Sequence, residues 1–112
     1  MSALFVIAAH LAGDFLLQNH WMQKKAVSSF VCTVHVACYA LPWLMLVAFN
    51  VISLPAFCLI IAEHWIQDRY ALHLKWMRFF SQTTVSQWPV GPLCIDQAFH
   101  ISWIATVIAV LS

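Results

Sequence analysis

The sequence predicts an all-α protein, a four-helix transmembrane bundle built as a single integral membrane domain over residues 1–112. Three observations carry this. The chain is 63% hydrophobic and 8% charged, against roughly 25% charged residues in an average soluble domain. Its mean hydropathy is +0.85. Four apolar segments approach the ~20 residues a helix needs to cross the hydrocarbon core. A soluble fold of this length could not hide so much apolar surface, because small domains bury only about two-thirds of what their chains expose.

The first segment covers about 2–19. It lacks the Lys/Arg start of a secretory signal and runs into His10 and Asp14 rather than a small-residue cleavage site, so it reads as a retained helix. The second covers 29–49 and holds Pro42, where a kink is expected. The third, 55–70, starts at Pro55, which a first helical turn accepts. The short NVISLP connection makes the second and third segments antiparallel neighbours. The fourth covers 92–111. Between the third and fourth, Leu72, Trp76, Phe79 and Phe80 share one side at helical spacing, opposite Lys75, Arg78 and Gln82. That pattern predicts a short interfacial helix.

Lys24, Lys25, Arg69, Lys75 and Arg78 all fall on one side of this topology. The positive-inside rule makes that side cytoplasmic and puts both termini on the non-cytoplasmic side. A net charge of +1 gives no basis for capture of nucleic acid. Cys32, Cys38, Cys58 and Cys94 lie in or beside apolar segments without paired CxxC spacing, which favours packing over a disulfide framework or a soft-metal site.

There are four acidic residues, and each lies within four positions of a histidine. His10 and Asp14, His64 and Asp68, and Asp96 and His100 are i, i+4 pairs, so each pair shares a helix face. Glu63 precedes His64, and His35 gives the second segment its own ionisable group. Helical rise places all of them in the cytoplasmic half of the bilayer. Carboxylates at that depth need protons, pairing with Arg69, Lys24 or Lys25, or a metal ion. Imidazole with carboxylate at helical i, i+4 spacing favours the metal. The expected ligands are His10, Asp14, His35, His64, Asp68, Asp96 and His100, holding one or two divalent ions of zinc, manganese or iron. Gln18 and Gln97 lie near the same layer and are expected to orient ligands. Glu63, about 100° around the helix from His64, is expected as a supporting group or general base, and Arg69 as a contact for an anionic headgroup.

The stretches HLAGDFLLQNHWMQKK, His35 with Tyr39, EHWIQDRY and IDQAFHI occur in that order. They resemble a family of small, uncharacterised bacterial and phage membrane proteins with an H-x-x-G-D-F-x-x-Q opening and a D-Q-x-x-H close. The resemblance implies an integral membrane protein of the bacterial inner membrane, or a phage-encoded one directed to the host membrane. The HxxxD pairs are more loosely similar to membrane-bound metal-dependent hydrolases. The expected function is therefore metal-dependent hydrolysis of an amphiphilic substrate at the cytoplasmic leaflet, with water activated by the ion. Ion or proton transport and a non-catalytic interaction module with a structural polar cluster are the alternatives. Four short helices enclose little volume, which makes a homo-oligomer in the bilayer a further expectation.

Overall fold

The structure is a computed structural model and describes residues 2–111. Helix α1 (Ser2–Leu11) passes directly into a π-helical turn, Ala12–Leu16, and a 3-10 helix covers Trp21–Ala26. Helices α2 (Ser29–Ala48) and α3 (Leu54–Tyr70) follow. The short α4 (Leu72–Trp76) passes into a second π turn, Met77–Ser81, and α5 (Gly91–Leu111) closes the bundle. No strand occurs among the described residues.

The helix starts follow from their caps. Ser28 accepts from the Val31 N–H and Ser53 from the Ala56 N–H, each at 3.3 Å, satisfying donors that a first turn leaves free. Pro55 sits in the first turn of α3, where its missing N–H costs nothing. Helix α2 continues unbroken through Pro42. Ala71 ends α3 in the left-handed region (φ 48°, ψ 49°), turning the chain into α4.

Segment lengths differ from expectation at the N-terminal end. Helices α2 and α5 are long and apolar enough to cross a membrane. The first helical run stops at Leu16 rather than 19, and α3 has 17 residues. The π turn has a visible cause in Gly13. A Cβ there would lie 2.6 Å from Tyr39 Cδ2 and 2.9 Å from the Tyr39 carbonyl oxygen, so glycine lets this turn press directly on α2. The Leu17 N–H bonds back to the Ala12 carbonyl at 3.0 Å and closes the wide turn.

The long helices run antiparallel in order. At one end Ser53 Oγ donates to the Leu111 carbonyl (3.1 Å), joining the start of α3 to the end of α5. At the other, Arg69 donates to Ser29 Oγ (3.0 Å) and to the Ala26 carbonyl (2.9 Å), joining the end of α3 to the start of α2. Lys24, Lys25 and Arg69 therefore share one end, and the Lys75 ammonium stands 5.9 Å from the Tyr70 ring at the same end.

The core stripes follow helical periodicity. In α3 the buried residues are Ala56, Ile60, His64 and Asp68, four apart each time. In α5 they include Ile95, His100, Ile104 and Val107. Each stripe is apolar at one end of the bundle and ionisable at the other. The apolar end is one cluster, with Val6, Trp43, Leu46, Ile52, Ala56, Ile60, Ile104 and Val107 among its members. The outward faces are also apolar. Phe5, Ile7, Phe30, Leu41, Met45, Leu59, Ile101 and Val110 are all exposed.

Candidate metal centre

The ionisable ends of the stripes meet in one layer. His10 comes from the end of α1, Asp14 from the π turn, and His35 and Tyr39 from α2. Glu63, His64 and Asp68 come from α3, and Asp96, Gln97 and His100 from α5. His10, Asp14, His35, His64, Asp68 and His100 are all buried.

Four of them converge most closely. His35 Nε2 and His64 Nε2 are 3.2 Å apart. Asp68 Oδ2 lies 3.0 Å from the first and 3.1 Å from the second. Asp14 Oδ1 lies 3.6 and 3.3 Å from the same two nitrogens. One donor atom from each residue falls within 4.8 Å of every other. A tetrahedral ion with bonds of about 2.0–2.1 Å requires donor–donor edges of roughly 3.3–3.4 Å, close to this set. Asp68 Oδ2 faces the imidazole nitrogens of both His35 and His64, while its Oδ1 lies 3.3 Å from His100 Nε2. Two imidazole nitrogens at 3.2 Å need a proton or a cation between them. The residues present fit a divalent cation.

A supporting chain fixes Asp14. Gln97 gives its amide N–H to Asp14 Oδ2 at 2.7 Å, which turns its carbonyl oxygen towards His10 Nε2, also at 2.7 Å. His10 therefore donates through Nε2 and accepts at Nδ1 from the Tyr39 hydroxyl, 2.8 Å away. Both ring nitrogens of His10 are taken, so it acts through Gln97 rather than beside His35 and His64. Tyr39 also stacks on His64, with centroids 3.7 Å apart and planes 13° from parallel, which holds that imidazole in place.

The remaining predicted residues divide. Asp96 Oδ1 and Asp68 Oδ1 both approach His100 Nε2, at 3.2 and 3.3 Å. Glu63 Oε1 meets His100 Nδ1 at 3.2 Å, so Glu63 orients this histidine. Arg69 is engaged in the α2–α3 tie described above. Gln18 accepts from Lys25 Nζ at 2.8 Å, and Lys25 is the residue that reaches the cluster, with Nζ 3.0 Å from Asp68 Oδ2. Among the described residues it supplies the one lysine or arginine ion pair to the four carboxylates. His73 Nδ1, at the edge of the layer, lies 3.6 Å from Asp96 Oδ1. Burial pushes the His73 imidazole below its ordinary range, and the Asp96 carboxylate opposes that shift. The cysteines are all free, and Cys32 Sγ donates to the Trp65 carbonyl.

Spacing alone did not single out Tyr39 or His73, whereas Lys25 is one of the three basic side chains expected to pair with the carboxylates. Tyr39 is four residues beyond His35 on the same face, a signal that was present. Nothing in the local sequence of His73 distinguishes it from other residues at a helix end.

No curated protein and no solved structure matches the chain. Residues 3–112 match the family described as "Protein of unknown function (DUF3307)", and the chain belongs to that family.

Proposed function

We propose that this protein is a membrane-embedded metal-dependent hydrolase, holding a divalent ion between His35, His64, Asp68 and Asp14 and acting on an amphiphile at the cytoplasmic leaflet. The observation that carries it is the convergence of four buried donors from three helical elements on one point, with tetrahedral edges. His35, His64 and Asp68 make a compact triangle of 3.0–3.2 Å edges, while Asp14 stands farther out. Asp14, 3.3 and 3.6 Å from the two imidazole nitrogens, is the ligand whose displacement would open the position for an entering oxygen that a catalytic ion needs. Such an ion would supply Lewis acidity and lower the pKa of water towards ~7.

The membrane setting is supported by the apolar outer faces of all the long helices and by the cations gathered at one end. In that setting α1 with its π turn, and α3, span together with α2 and α5, packed against them although shorter. A groove of about 280 Å³ on the outer face, lined by Leu59, Ala62, Glu63, Ile66, Gln67 and Trp103, offers an acyl chain a lateral approach. Glu63 is the one carboxylate it reaches, and Glu63 touches His100. The apolar cluster that fills the other half of the bundle argues against a continuous ion path through one copy.

The test is reconstitution of zinc- or manganese-loaded protein in phospholipid vesicles carrying phosphate-, ester- or amide-linked amphiphiles. Headgroup release that stops with a chelator and in Asp68→Ala is the expected result. Ion flux without release from any of the three substrate classes would overturn hydrolysis and favour transport.

A further inference from the structure

A second set of donors lies beside the first. His100 is fully buried, and its two nitrogens behave differently. The contact from Nδ1 to Glu63 has hydrogen-bond geometry, whereas Nε2 is buried with no hydrogen-bond partner. With Nδ1–H donating to Glu63, Nε2 carries a lone pair. That lone pair faces Asp96 Oδ1 at 3.2 Å and Asp68 Oδ1 at 3.3 Å. One donor atom each from Asp14, Asp96 and His100 falls within 4.8 Å of the others. The Gln97 amide nitrogen spans Asp14 Oδ2 (2.7 Å) and Asp96 Oδ2 (3.3 Å), tying the two carboxylates side by side. A carboxylate holding the far nitrogen of a histidine is the support that ligating histidines usually receive.

We propose a second divalent-cation position held by His100 Nε2 and the carboxylates of Asp96 and Asp14, with Asp14 shared between the two positions. It rests on the same cluster as the proposed hydrolase and makes it a two-metal centre. The charge balance agrees. Asp14, Glu63, Asp68 and Asp96 bring four carboxylates into one layer, and Lys25 is their one lysine or arginine partner among the described residues. One divalent ion with Lys25 leaves a net charge of −1 in a low-dielectric layer and two leave +1, so a second ion is admitted without a larger imbalance. The donor chemistry separates the two positions. The first has two imidazoles, whereas the second has one imidazole and is richer in oxygen, which suits manganese or iron(II) better than a sulfur-seeking metal. Two ions ~3.5–4 Å apart would clamp both the attacking and the leaving oxygen of a displacement. The substrate class this favours is a phosphate ester.

The experiment is equilibrium dialysis of the full-length protein in detergent against manganese(II), with electron paramagnetic resonance on the same samples. Two ions per chain with an exchange-coupled spectrum, falling to one uncoupled ion in His100→Ala and in Asp96→Ala, is the expected result. Asp96 keeps 15% of its side chain exposed, so its variant keeps the test open if His100→Ala does not fold. One ion per chain in the wild type overturns the second position and leaves the first. Two ions without exchange coupling overturn the shared Asp14. No ion at all overturns the metal centre itself.

Discussion

The two halves of the bundle are continuous stripes of the same helices, yet they obey different physics. In the apolar half, Val6, Leu46, Ile60 and Ile104 fill the space between helices and carry no polar side-chain atom to satisfy. In the ionisable half, the Lys25 ammonium and three imidazole nitrogens crowd around the Asp68 oxygens, and His100 Nε2 is buried facing two carboxylates. Carboxylate oxygens and imidazole nitrogens held 3.0–3.3 Å apart in one buried layer need protons or cations between them, which apolar packing never does. The lesson is that the first half holds the helices together and the second half is held in place by them.

That contrast can be broken or sharpened by substitution. The largest effect is expected from Asp68→Ala, which removes an oxygen donor from the first position and the partner of Lys25. Ion retention through dialysis should be lost altogether, with the half-buried Lys25 ammonium left without its carboxylate and the folded state weakened by about 1–3 kcal/mol. Metal analysis and thermal unfolding in detergent would read both effects. Gln97→Ala should be milder. It leaves every proposed ligand in place but frees Asp14 and His10 from their common support, so affinity should fall by roughly 10–100-fold in a metal titration. Ile60→Ala is the reverse case. It should cost about 2–5 kcal/mol of stability by opening a cavity in the apolar half, while the folded fraction binds metal as the wild type does. A loss of affinity there equal to that of Gln97→Ala would dissolve the distinction between the halves.

Much of this arrangement was legible in the chain itself. Apolar runs punctuated by Pro55 and Pro92 fix α3 and α5, and i, i+4 spacing puts His64 with Asp68 and Asp96 with His100 on the buried faces where they are found. The first segment was less legible. Its hydropathy continues past Leu16, but Gly13 against Tyr39 and the π turn end the helix early, a tertiary contact that composition does not encode. Spacing also tells which face a residue takes and not which neighbour claims its atoms. His10 has the same i, i+4 partner as the other histidines, yet Tyr39 and Gln97 take both of its nitrogens. Arg69 looked free to meet a headgroup and is instead bound to Ala26 and Ser29, while Lys25, from a 3-10 helix, is the half-buried cation that reaches Asp68.

The proposed metal centre is a divalent ion held by His35, His64, Asp68 and Asp14. X-ray absorption at the zinc edge, on zinc-loaded protein after exhaustive dialysis in detergent, tests it most directly. Retained zinc with nitrogen and oxygen neighbours at about 2.0–2.1 Å and outer-shell scattering from two imidazoles is expected. Zinc absent after dialysis, or a spectrum dominated by sulfur at ~2.3 Å, would contradict it.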